Sequence, residues 1–125
     1  MVAFNVKLLM ERGATFRKTM IWKTGDLTQP STMTPVDITG YTGKMQVRSD
    51  VSSSAVLFEL STVNGRITLG GSAGTIVLYI PSTVTSAFTF KKAVYDLFLT
   101  SPSGSPSDVI KFMDGTITVA TKITV

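Results

Sequence analysis

Of the side chains that could do chemistry, the chain offers eight carboxylates, Glu11, Asp26, Asp37, Asp50, Glu59, Asp96, Asp108 and Asp114, with many serines but neither histidine nor cysteine. General acid–base catalysis requires two carboxylates to converge in a cleft. Most of these fall at strand ends or turns, where Asp caps a reversal or faces water. No G-x-S-x-G elbow is present, and without histidine or cysteine a serine nucleophile needs lysine as its base. Asp50 and Asp108 lack the spacing of a calcium loop. Gly70-Gly71-Ser72-Ala73-Gly74 resembles a phosphate cradle only in composition. It matches neither G-x-G-x-x-G nor G-x-x-x-x-G-K-[ST], and a strand follows it. The expectation is a protein that is not an enzyme, with no catalytic residue, cofactor or metal.

The elements that must position these residues are strands. With 125 residues, 43% of them apolar, the chain is expected to form one domain spanning 1–125 with its own core. Without cysteine it has no disulfide framework. Its N-terminus lacks a basic start followed by an apolar run, and no stretch of about 18 apolar residues occurs, so neither export by a standard signal nor a membrane span is expected.

Val2, Phe4, Val6, Leu8 and Met10 share one parity and predict an opening strand. Phe16, Met20 and Trp22 predict the next, with Lys18 on the inward parity as an exception that a bulge or an edge position would accommodate. Residues 24–35 carry two prolines and no periodicity, and read as a long exposed loop. The stretch Pro35 to Leu60 holds the clearest hairpin, Gly43–Arg48 against Val56–Leu60, and is expected to organise the fold. Short strands follow at Ile67–Leu69, Thr75–Ile80, Val94–Thr100 and Asp108–Met113, and a last one keeps the parity of Ile117, Val119, Thr121, Ile123 and Val125. Pro81 to Phe88 is the one plausible helical turn, with Pro81 in a first helical position, and Ser101 to Ser107 is a turn-rich loop. About nine short strands with almost no helix predict an all-β, antiparallel, immunoglobulin-like β-sandwich, a small barrel being the alternative.

Apolar residues on the solvent parity carry the functional signal. Val77 and Tyr79, Val94 and Phe98, and Val109 and Met113 all lie opposite the core set. If these strands are neighbours, their outer faces form one apolar patch of the kind that marks a protein contact. Val77, Tyr79, Val94 and Phe98 are the first candidates, and the loop with Leu27, Thr28, Gln29, Pro30 and Met33 is the second. Twelve Lys and Arg against eight acids give +4, but the cations are scattered, and solvated sheet faces are favoured over a nucleic-acid site.

Several motifs recur in a fixed order: Arg12-Gly13-Ala14-Thr15-Phe16 before a strand ending in Trp22, Pro35-Val36-Asp37-Ile38-Thr39-Gly40-Tyr41-Thr42, Met45-Gln46-Val47-Arg48, Asn64-Gly65-Arg66-Ile67-Thr68-Leu69, Ala93-Val94-Tyr95-Asp96-Leu97 with Ser101-Pro102-Ser103-Gly104, and Asp114-Gly115-Thr116-Ile117-Thr118-Val119. In this order the chain resembles small immunoglobulin-like β-sandwich proteins of tailed bacteriophages and prophages, and it is similar to the N-terminal domain of the phage baseplate upper protein. The resemblance implies a virion structural protein: a tail, baseplate or head–tail-region (collar) component that decorates or connects larger rings. Its partners would be other virion proteins and further copies in a symmetric homo-oligomer, assembled in the host bacterial cytoplasm, with no membrane and no nucleic acid. The chain departs from the family pattern at Phe98, where a charged residue is more usual, and by longer segments at Gln29–Thr34 and Ser101–Ser107. The first of these segments is expected to reach a neighbouring subunit. Alternatives are a carbohydrate- or host-surface-binding module that stacks a sugar on Tyr41 or Tyr79, and a nucleic-acid binder using Arg17, Lys18 and Lys23.

Overall fold

The computed structural model describes residues 4–25, 28–29, 33–52, 55–104 and 107–121. Two sheets enclose one core. The larger is six-stranded, with β1 (Phe4–Asn5), β11 (Ser107–Ala120), β10 (Lys92–Gly104), β6 (Thr42–Arg48) and β7 (Phe58–Ser61) in that order, and β2 (Leu8–Glu11) also paired with β11. The smaller is three-stranded, β3 (Phe16–Ile21), β9 (Thr75–Ile80) and β8 (Ile67–Leu69). Each pairing is antiparallel except those of β1 and β2, which run parallel to β11. This is an all-β, immunoglobulin-like sandwich: β3, β9 and β8 face a sheet whose centre is β6, β10 and β11, with β7 added at one edge.

Alternation dictates which side of each strand is buried. In β9 Ile76, Leu78 and Ile80 are fully buried, as are Leu97 and Leu99 of β10 and Met45 of β6. These inner faces meet as one core with Leu60, Ile117 and Val119. A β-branched or leucine side chain buried this completely contributes about 1.5–3 kcal/mol relative to exposure.

The hairpin β6–β7 forms as expected, with Lys44 opposite Ser61 and Val47 opposite Phe58. It does not organise the sheet. β7 is an edge, and the centre is β10, which pairs along its length with both β6 and β11. The expected loop at Ser101–Ser107 is mostly strand, since β10 continues to Gly104 and Gly104 pairs with Ser107. Pro102 and Gly104 are tolerated there because no third strand lies alongside this extension in the described ladder.

Three further expectations are refined. The segment 24–35 is closed at its base by a two-stranded ladder, β4 (Lys23–Thr24) against β5 (Thr34–Pro35). The helical turn α1 spans Ser82–Thr85, and Pro81 precedes it in an extended conformation, so Pro81 caps the turn instead of opening it. Lys18 does point between the sheets from β3, which pairs only with β9. An inward charge on an unpaired edge blocks a foreign strand from docking there. The expected alternation at Ile123 and Val125, like Val2 at the start, lies outside the described residues.

Thr85 ties down the turn at which the chain changes sheets. Its fully buried hydroxyl donates to the Ala14 carbonyl at 2.9 Å and accepts from the Gly13 N–H at 3.2 Å, fixing α1 against the β2–β3 link. The chain leaves β9 in the small sheet and enters β10 in the large one. Among the described residues no helix is long and apolar enough to cross a membrane.

Candidate functional site

Consecutive strands β9 and β10 lie in different sheets, and this separates the first candidates. Val77 and Tyr79 occupy the outer face of the small sheet; Val94 and Phe98 occupy the outer face of the large one. The single apolar patch expected across the two strands does not form. Parity along a strand gives inside and outside but cannot say to which sheet the outside belongs. Met113 is also corrected. Leu97 pairs with Met113 and Phe98 with Lys111, so β11 carries one extra residue, and both Phe112 and Met113 turn into the core. A bulge reverses the parity beyond it. Val109, before the bulge, stays outside at 64% exposed.

On the small sheet the outer face is largely self-satisfied. Arg17 pairs with Tyr79 across β3 and β9, and its guanidinium sits 4.9 Å from the Tyr79 ring centroid. That cation–π contact occupies a ring face a sugar would need. Tyr41 packs half-buried against the core, so the two sugar-stacking candidates share no open platform. Arg17, Lys18 and Lys23 likewise fail to make one basic surface: Arg17 faces out, Lys18 faces between the sheets, and Lys23 belongs to the separate β4–β5 ladder.

On the large sheet the outer face is a shallow groove of about 700 Å³ across β6, β10 and β11. The ladder registers set its rows. Lys111, Phe98 and Lys44 lie side by side; the next row is Asp114, Asp96, Gln46 and Glu59; beyond it come Thr116, Val94 and Arg48. At the margin Val51 is 89% exposed, held on the loop between β6 and β7. Half-buried Phe98 and Val94 thus sit between charged neighbours in a concave surface.

Most of the charges are tied to one another. Lys111 Nζ lies 2.9 Å from Asp114 Oδ2, and Asn5 Nδ2 donates to Asp114 Oδ1 at 3.0 Å. These two contacts hold the Asp114 carboxyl below its usual range, and the same ion pair raises Lys111. Gln46 Nε2 donates to Glu59 Oε1 at 3.1 Å and Lys44 approaches it at 3.5 Å, so Glu59 is held low, chiefly by the Gln46 bond. Arg48 donates to Gln46 Oε1 at 2.9 Å. Asp96, half-buried between Asp114 and Gln46, has no hydrogen bond or ion pair among the described residues.

Two contacts brace this face from beneath. The Tyr95 hydroxyl donates to the Val6 carbonyl at 2.6 Å, and burial pushes its phenol pKa well above the ordinary value. Gly115 has φ +152°, and a Cβ there would lie 2.1 Å from the Val6 oxygen. Only glycine lets β1 and β2 close against the bulged strand.

The second candidate, the 24–35 segment, rises from the end of the sandwich where Gly40 packs on Pro102 and the Ile38 N–H donates to Gly71 O. Thr28 and Gln29 are exposed and Met33 is half-buried against Gly25. Leu27 and Pro30 lie outside the described residues. At the glycine-rich turn, Gly74 packs against the Trp22 and Val36 carbonyls and accepts from the Trp22 N–H at 2.9 Å. This turn joins backbone to backbone. Among the described residues no group of three or more carboxylates is placed to hold a metal.

Sequence reasoning named Val94 and Phe98 but missed their polar neighbours. Lys44, Asp96 and Lys111 each have the outward parity, but ladder register alone makes them neighbours. No protein family matches the sequence, and no curated protein matches it either.

Proposed function

We propose that the chain is a structural protein of a tailed-bacteriophage particle, a small tail, baseplate or collar component that joins larger rings by surface contact. The observation that carries the reading is the groove on the large sheet, where Phe98 and Val94 are half-exposed in a concave face beside the exposed Val51 and Val109. Apolar side chains gathered in a concave, charge-rimmed surface have the anatomy of a protein contact, with an apolar centre and a polar rim. The resemblance of the motif order to small virion sandwiches supplies the particle. Symmetric copies follow from ring assembly, since head-to-tail contacts that close generate rings.

Quantitative mass spectrometry of gradient-purified particles from the encoding phage tests this. The chain is expected at a copy number that is a multiple of three or six relative to the ring it joins. Its absence from particles overturns the reading.

A further inference from the structure

We propose that the groove receives its partner through one arginine side chain, whose guanidinium forks onto the Asp96 carboxylate and lies against the Phe98 ring. This deepens the contact reading above and rests on it.

Three cations, Lys44, Arg48 and Lys111, and three carboxylates, Asp50, Asp96 and Asp114, line the groove, and the complementarity to such a group is local to Asp96. Asp114 is neutralised by Lys111 at 2.9 Å, and the Asp50 carboxylate accepts from both the Ser52 N–H and the Ser52 hydroxyl. Lys44 is engaged with Glu59, while the Gln46 amide is turned to Glu59 on one side and Arg48 on the other. Asp96 is left as the one groove carboxylate with neither hydrogen bond nor ion pair among the described residues. Asp114 stands directly opposite it across the β10–β11 ladder, and Lys111, paired with Asp114, attracts the Asp96 charge without forming an ion pair with it. A threonine or valine there would suit the sheet better. A guanidinium arriving from outside gives Asp96 the direct hydrogen bonds it lacks among the described residues.

Phe98 and Val94 select the kind of cation. Both flank Asp96 two residues away on the same face of β10. A guanidinium is planar, stacks on an aromatic face and gives a carboxylate two parallel N–H donors, whereas an ammonium does neither. Unlike Tyr79, whose ring is covered by Arg17, Phe98 has no cation or ring packed on it among the described residues. A partner protein with an exposed arginine therefore fits this surface.

The test uses the full chain and N-acetyl-arginine-amide as probe, titrated to roughly tens of millimolar because one side chain binds weakly alone. NMR shifts are followed at Asp96, Phe98 and Val94, with the neutral citrulline analogue as control. Saturable shifts at all three residues are expected, at least about tenfold weaker with citrulline and at least about tenfold weaker in Asp96→Asn, which keeps the shape of the side chain. No shift at Asp96, equal response to citrulline, or unchanged binding in Asp96→Asn overturns the inference. If arginine binds as stated but the chain is missing from particles, the virion reading falls and the site stands. If the chain is in particles and arginine leaves Asp96 unmoved, the site falls alone.

Discussion

The two outer faces of this sandwich are built from the same alternation yet have opposite character. On the small sheet, Arg17 covers Tyr79, the next row is Thr19, Val77 and Thr68, and beyond it the exposed Ile21 stands opposite Thr75. On the large sheet, ion pairs at Lys111–Asp114 and Lys44–Glu59 stand on either side of a groove that half-exposes Phe98, Val94 and Asp96. Apolar residues on the solvent parity are thus not equivalent. What distinguishes them is whether neighbouring strands have already satisfied the surface around them.

The contrast depends on the bulge in β11, and Gly115→Ala should break it most severely. A Cβ 2.1 Å from the Val6 oxygen meets backbone on an unfavourable φ, so a loss on the order of 3 kcal/mol is expected in urea unfolding. Tyr95→Phe should follow at about 1–2 kcal/mol, since it leaves the Val6 carbonyl without its donor. Acid and alkali should then separate the groups involved. Asp114 and Glu59 are held low in the folded chain, so their contribution is complete above their unfolded values and is lost as the pH falls below about 4. Tyr95 is held high, so the folded state keeps a proton that the unfolded state releases, and stability falls as the pH rises above about 10. Tyr95→Phe should reduce the alkaline loss to the part carried by Lys111, which is also held high, and should spare the acid one, read from thermal melts across pH.

The smallest expected effect has the opposite sign. Asp96→Thr replaces a carboxylate that faces Asp114 and is attracted by Lys111 with a β-branched residue suited to a central strand, and should stabilise the free chain by about 0.5 kcal/mol in the same urea assay. A destabilised Asp96→Thr would show that Asp96 supports the sheet and is not held there against it.

Much of the fold was legible because burial follows a period of two. Ile76, Leu78 and Ile80, and likewise Tyr95, Leu97 and Leu99, were placed inside by alternation and are buried. Parity marked Lys18 as an exception that a bulge or an edge would accommodate, and β3 is an edge among the described strands. Three things were hidden for physical reasons. The bulge at Phe112 and Met113 adds one residue, and nothing in the alternation marks it, although Gly115 nearby signals a close backbone approach. Parity does not encode the change of sheet between β9 and β10, and the buried Thr85 hydroxyl that ties the intervening turn to the β2–β3 link reaches residues more than seventy positions away. The neighbours of Phe98, Lys44 and Lys111, come from separate strands and are set by register. Half of the candidate surface was thus named in advance, and its electrostatics were not.

The most direct measurement is the copy number in purified particles of the wild-type chain and of two matched variants, Phe98→Ser and Tyr79→Ser. Each variant replaces one half-buried aromatic on an outer face and should cost about 1 kcal/mol or less in the isolated chain. The wild type and Tyr79→Ser are expected in particles at the same multiple of three or six, and Phe98→Ser is expected to be depleted while remaining folded. Equal incorporation of the two variants, or absence of the wild type, would contradict the account.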